Sequence, residues 1–232
     1  MFFYGINPVI ESLQSLHVPE RIYVAEGKAN PGINKILKLA AGRDVPIKRV
    51  PRVDKLCGSR DHQGVGAEIA DLGVRSLPET GFDSDHIVMF DGLQDPHNFG
   101  AALRVCEAFG FRTVIFHKGN SSGVTAAAVK VSAGAVFHLS LYISNLNTAV
   151  KKLKREAYAI YCLDGKGPTD VFQLQAGPKF CLVIGSESDG VRFAIQRQAD
   201  ATVRIPMHGR IESLNVSCAL SAALAAITAR GR

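Results

Sequence analysis

The sequence predicts an α/β protein with a mainly parallel C-terminal sheet, helices on both of its faces, and a small α/β module in front. Three observations carry this. From residue 86 onward, continuous apolar runs such as IVMFD, TVIFH and CLVIG alternate with helical stretches, the pattern of strands buried on both faces. Before residue 70, shorter strands and helices alternate in a segment that holds much of the positive charge. Between the two, residues 71–85 (DLGVRSLPETGFDSD) combine two Gly, one Pro and little periodicity, the composition of a linker. The expected organisation is therefore a module over 1–70, a linker over 71–85 and a main domain over 86–232.

The elements follow in order. Asn7-Pro8 reads as an N-cap with proline at the first helical position, opening a helix to about residue 16. A strand over 21–25, a helix over 33–41, a strand over 46–50, a short helix over 53–57 and a strand over 65–70 complete the module. In the main domain a strand over 87–91 leads to a helix over 98–109 and a strand over 113–117. A helix over 124–134, a strand over 138–143, a helix over 146–156 and a strand over 158–163 come next. Strands over 181–185 and 202–205, with a short helix between them, precede a long Ala-rich helix over 216–229. In such sheets ligands bind in the loops beyond the carboxyl ends of the strands. The loops of interest are therefore 91–100, 163–168, 185–191 and 206–215.

Composition narrows the classes of function. With 232 residues, 47% hydrophobic and 21% charged, the chain can bury a full core without disulfides and is not mainly disordered. Net charge +6 and pI near 9.1 favour a polyanionic partner. The absence of tryptophan and 7% aromatics disfavour base stacking as the mode of RNA recognition. Five scattered cysteines with no CxxC pair point to a reducing compartment and no structural metal. No apolar run approaches the ~20 residues that span a bilayer. Residues 1–13 carry no basic segment ahead of an apolar one, so the expectation is a cytoplasmic protein with no membrane partner.

Polar residues and glycines concentrate in the named loops. The first reads DGLQDPHNFGAALR, with Asn98, Gly100 and Arg104 around a helix start; Asn98 alone would serve as a plain cap. The third, GSESDGV, brackets Glu187 between Gly185 and Gly190 but lacks the GxGxxG dinucleotide fingerprint. The fourth, IPMHGRIESLNVS, sets Ser213 and Asn215 at the entry of the last helix. A rival enzyme reading also exists. Residues 119–123 (GNSSG) satisfy G-x-S-x-G, and Asp164 and His208 follow in the chain order of an α/β-hydrolase triad built on Ser121, though no HGGG-type segment precedes them. The seven histidines form no HxxxH or HExxH pair, which argues against a metal enzyme.

Taken together, DPHNFGAALR, LVIGSESDGV and IPMHGRIESLNVSCA resemble the three ordered signature motifs of the SpoU (TrmH) family of RNA ribose 2′-O-methyltransferases in the SPOUT superfamily. KVSAGAV (130–136) extends the likeness, and YGINPVIESL with HQGVGA is similar to the family's N-terminal substrate-binding module. The nearest branch methylates a guanosine of 23S rRNA. Ser188 and Ser221 stand where the family usually has glycine; a positive φ at Ser188 would strain it.

The resemblance implies transfer of a methyl group from S-adenosylmethionine to a ribose 2′-OH of structured RNA, 23S rRNA or precursor large-subunit particles. It also implies a C-terminal trefoil knot, a homodimer and no metal. Arg104 is then the central catalytic residue, Asn98 and Glu187 shape the pocket around it, and Ser213 and Asn215 hold cofactor and ribose. Leu163, Gly185, Ile205, Met207, Ser213 and Leu214 would line the cofactor slot. In the module, Arg21, Lys28, Lys35, Lys38, Arg43, Lys48, Arg49, Arg52 and Lys55 would meet phosphates. Two other classes stay open: a hydrolase using Ser121, and an RNA-binding or assembly protein without catalysis.

Overall fold

The computed structural model describes all residues except Lys118, Asn120, Glu187, Glu212, Gly231 and Arg232, and the side chain of Arg230. Its contacts divide the chain into two compact units. The first is Met1–Gly73 with Val124–His138, and the second is Val74–Gly123 with Leu139–Arg232.

The first unit runs β1 (Phe2–Tyr4), α1 (Ile6–Gln14), β2 (Arg21–Ala25), α2 (Pro31–Ala41), β3 (Ile47–Val50), α3 (Asp54–Cys57) and β4 (Val65–Glu68). Its sheet has the order β1-β4-β2-β3, antiparallel at β1/β4 and β2/β4 and parallel at β2/β3. α1 begins before the expected Asn7 cap. Gly5 holds the cap position at φ 105 with no side-chain capping bond, and the amide of Ile6 donates to Gln63 Oε1 at 3.1 Å. Pro8 thus sits inside the first turn, where its missing N–H leaves no intrahelical bond unmade. α2 starts at Pro31 because Asn30 caps it, its side chain accepting from the Ile33 amide at 2.9 Å.

The same unit includes α5 (Ala126–Val131) and a 3₁₀ turn over Ala135–His138, which the sequence had placed within the C-terminal domain. The expected helix over 124–134 stops at Val131. Ala133 and Gly134 take φ 54 and 92 and turn the chain. A Cβ on Gly134 would lie 2.7 Å from Glu11 Cβ and 3.0 Å from Pro8 Cα, so glycine is what lets this turn approach α1. Phe137 then packs on Phe3, ring centroids 5.1 Å apart, and His138 Nε2 meets Glu11 Oε2 at 2.9 Å.

The second unit contains β5 (His86–Asp91), α4 (Pro96–Ala108), β6 (Thr113–His117), β7 (Ser140–Ser144), α6 (Leu146–Arg155), β8 (Ala159–Leu163), β9 (Thr169–Asp170), β10 (Phe180–Gly185), α7 (Phe193–Gln196), β11 (Ala201–Arg204) and α8 (Val216–Arg230). Every pairing in the sheet is parallel, in the order β7-β6-β5-β10-β8-β11-β9. Alternation along β5 and β6 separates the faces. Ile87, Met89 and Ile115 join Leu146, Val150 and Leu153 of α6, whereas Phe90 and Phe116 hold Phe99 of α4 edge-on at 5.4 and 5.3 Å. Helices therefore cover both faces. Residues read as a linker are built into this unit from Val74 on. The amide of Arg75 donates to Leu141 O at 3.0 Å, Ile143 N donates to Arg75 O at 2.8 Å, and Phe82 stacks edge-on against Tyr142 and Tyr158.

Candidate active site

β10 lies between β5 and β8, and the chain reaches it only after leaving the sheet centre in both directions, so the strand order reverses here. Such a switch point opens a crevice at the carboxyl ends of the strands. A cleft of about 670 Å³ occupies it. Leu163, Gly185, Ile205, Met207, Ser213 and Leu214, the six residues singled out from sequence as a cofactor slot, all line this cleft. Its walls combine these groups with Ile184 and with Ser186, Ser188, Asp189 and Gly190 of the turn after β10.

That turn explains its glycines. Gly190 takes φ +65 and donates its N–H to Ser186 O at 3.0 Å. A Cβ on Gly185 would fall 1.9 Å from the carbonyl carbon of Gly190, so no side chain fits there. The backbone at Ser188 follows directly on Glu187. The Ser188 hydroxyl donates to Asp189 Oδ2 at 2.7 Å, and the Asp189 amide donates to Ser186 Oγ at 3.1 Å. Glu187 lies outside the described residues.

α4 is capped by Asp95, whose carboxylate accepts from the His97 and Asn98 amides at 3.0 and 3.4 Å with Pro96 at the first position. The helix thus begins ahead of Asn98, whose side chain is not spent on capping. Asn215 donates through Nδ2 to Asn98 Oδ1 at 2.9 Å. With its own Oδ1 it accepts from the amide and hydroxyl of Ser217 at 2.9 and 2.7 Å, capping α8. The first and third motifs are thereby joined by one hydrogen bond. Arg104 is exposed and is not among the residues lining the cleft.

Sequence reasoning missed Asp91 and named Asp164 only as a member of a hydrolase triad. Asp91 ends β5 in register with Gly185 and is buried; it accepts from the Arg192 amide at 2.9 Å and from Arg192 Nε at 2.7 Å. Asp164, directly after β8, accepts from the Lys166 amide at 2.9 Å and from Gln196 Nε2 at 3.0 Å. Both follow apolar strands immediately, the one signal that could have marked them. The hydrolase arrangement does not form. Ser121 Oγ donates to the carbonyl of Leu93 at 3.4 Å, and Asp164 bonds a glutamine and an amide rather than His208. Among the described residues no group of three or more His, Cys, Asp or Glu could hold a metal ion. Burial pushes the Cys162 thiol up to about 12, which disfavours the thiolate.

Comparison with known proteins agrees with this geometry. A model of the SpoU rRNA methylase family matches residues 85–225, and a model described as RNA 2′-O ribose methyltransferase substrate binding matches residues 2–73. The 23S rRNA (guanosine-2′-O-)-methyltransferase RlmB of Xylella fastidiosa is 34% identical over 231 residues, covering 95% of this chain and 92% of that protein. A crystal structure of an RNA 2′-O ribose methyltransferase superposes with TM-score 0.83 at 25% identity, covering 100% of this chain and 88% of the other. The SpoU methyltransferase AviRb of Streptomyces viridochromogenes, in complex with the cofactor AdoMet, superposes with TM-score 0.82 at 22% identity, covering 99% and 90%. With its catalytic half matched by the family model and nearly its whole length aligned to such a relative, this chain belongs to the SpoU rRNA methylase family.

Proposed function

We propose that the chain is an S-adenosylmethionine-dependent methyltransferase acting on a ribose 2′-hydroxyl of RNA, and that its substrate is a guanosine of 23S rRNA, met as free RNA or in precursor large-subunit particles. One observation carries the reading: the six residues picked from sequence converge on one cleft at the switch point of the sheet. The cleft fits the cofactor. Its volume of about 670 Å³ suits a small molecule, and the lack of side chains at Gly185 and Gly190 leaves backbone exposed beside an apolar slot.

S-Adenosylmethionine, when bound, supplies an electrophilic methyl group on a positively charged sulfur. The protein must position the 2′-hydroxyl and manage its proton, because an alcohol of such high pKa does not attack unaided. A guanidinium is not deprotonated in proteins, so the general-base role does not fall to Arg104. It holds the adjacent phosphate and stabilises the developing alkoxide, while the phosphate takes the proton. The Asn215–Asn98 bond fixes two amides for ribose contact, Ser213 and Asn215 hold cofactor and ribose, and Glu187 shapes the pocket around Arg104.

Since Arg104 does not line the cleft of its own chain, the reading includes a homodimer in which it serves the partner's cleft, with α8 as the interface. The segment 205–216 threads as a trefoil knot. Residues 2–73 bind RNA through the nine basic side chains named above, all exposed, of which Arg52 also pairs with Asp54. The site of action is the cytoplasm; no helix among the described residues is long and apolar enough to cross a membrane. The test is to incubate total RNA and precursor ribosomal particles with labelled S-adenosylmethionine and map the labelled ribose by mass spectrometry. Label at a 23S guanosine is expected, and no label in any RNA would favour a binding-only protein.

A further inference from the structure

Building on that reading, we propose that Asp164 is the side chain through which the cleft holds the ribose diol of the cofactor, and that Gln196 is the positioning residue that keeps it there. Asp164 lines the cleft at the carboxyl end of β8. Among the described residues each of its oxygens accepts one hydrogen bond, Oδ1 from the Lys166 amide at 2.9 Å and Oδ2 from Gln196 Nε2 at 3.0 Å. A carboxylate oxygen has two lone pairs, so one acceptor position remains on each. Among the described residues no cation pairs with this carboxylate.

The other polar side chains of the cleft are less suited. Ser186, Ser188 and Asp189 bond among themselves, with both hydroxyls directed at Asp189 Oδ2 at 3.4 and 2.7 Å, so that one oxygen of this carboxylate is taken up within its own turn and its two oxygens are not matched acceptors. Lys166 offers only donors, and Ser213 offers a single hydroxyl. A ribose presents two adjacent O–H donors, and a carboxylate presents two adjacent acceptors, the match by which acidic residues hold ribose in nucleotide-binding folds. Gly190 keeps the approach open. A Cβ there would stand 3.1 Å from Asp164 Oδ2 and press on the carboxylate.

Gln196 adds the orientation. The same Nε2 that reaches Asp164 also donates to Val191 O at 2.8 Å, so the amide is fixed at one end of α7 and Asp164 is fixed by it. The Lys166 amide bond alone would leave the carboxylate free to rotate about its Cα–Cβ bond.

The experiment is calorimetric titration of the full chain with S-adenosylhomocysteine and with 5′-methylthioadenosine, which keeps the diol but lacks the amino-acid tail. Asp164→Asn should weaken both ligands by the same factor, about tenfold or more, with the thermal midpoint of the free protein and its affinity for RNA unchanged. Gln196→Ala should raise KM for S-adenosylmethionine with kcat retained, and should add nothing in the Asp164→Asn background. Unchanged affinity of Asp164→Asn for both ligands overturns the proposal, and so does a loss confined to S-adenosylhomocysteine, which would assign the carboxylate to the ammonium group. A wild-type protein that binds neither ligand overturns the cofactor reading and this proposal together; wild-type binding with unaffected variants overturns this proposal alone. If Asp164→Asn does not fold, Gln196→Ala decides, and affinity within about twofold of wild type rejects the assignment.

Discussion

Asp91 is the only charged side chain among the buried residues described, and its place explains the cost. A carboxylate removed from water needs its lone pairs filled. The amide and Nε of Arg192 bond one oxygen each, tying the segment after β10 to the end of β5 while Gln196 ties it to Asp164 beyond β8. The turn over 186–190 is thus anchored to both neighbouring strands. Asp91→Ala would strand a guanidinium whose Nη2 already lacks a partner. With the Arg192 side chain 40% exposed, the expected loss is about 2 kcal/mol, below that of a fully buried pair, read by urea unfolding. Arg104→Ala should act differently. Being exposed and outside the cleft, its removal is expected to lower single-turnover methyl transfer by about 10²-fold or more while calorimetric affinity for S-adenosylhomocysteine and the thermal midpoint stay unchanged. Arg104 was singled out by its motif; Asp91 was not, because an acidic residue ending a strand reads as solvated until the strand order buries it.

At the scale of elements, α4 and α8 are set by their caps. Asp95 and Pro96 start α4 early enough that Asn98 faces Asn215. Asp95→Ala should cost about 1 kcal/mol in urea unfolding and weaken substrate turnover further through the displaced Asn98. The central strands of the second unit were legible as continuous apolar runs because both of their faces are covered. β1 and β9, with three and two residues, carry no such run and exist because β4 and β11 offer them open edges. α8 offers a direct test of the proposed dimer. Cys106, Cys162 and Cys181 are buried whereas Cys218 is exposed on this helix, so a thiol reagent should label Cys218 ahead of those three. Labelling that slows as protein concentration rises would place α8 in the interface, and a rate independent of concentration would remove it.

For the whole molecule, charge and assembly make separate predictions. Affinity for RNA should fall steeply and linearly in log–log plots against salt, with the slope reduced by about one for each contacting cation removed, as in Lys48→Ala or Arg49→Ala. A slope untouched by either change would move RNA binding away from β3. If Arg104 serves the partner's cleft, mixed Arg104→Ala and Glu187→Ala protomers should regain part of the activity lost by each, since some mixed sites hold both residues. Continued inactivity after confirmed subunit exchange would place both residues in one protomer.

The sequence by itself determined the alternation of strands and helices and marked the loops that meet at the cleft, because burial on two faces and glycine turns leave local marks that one stretch of chain carries alone; six of the cleft's lining residues were named with the family resemblance. The tertiary structure decided what depends on non-local approach. Residues 124–138 join the N-terminal unit because Gly134 lets them reach α1. The strand order brings Asp91 and Asp164 to either side of one turn. Asn98 meets Asn215 across 117 positions. A periodic pattern records which way a side chain faces, but the partner it meets there is fixed only when strands far apart in the chain are laid side by side.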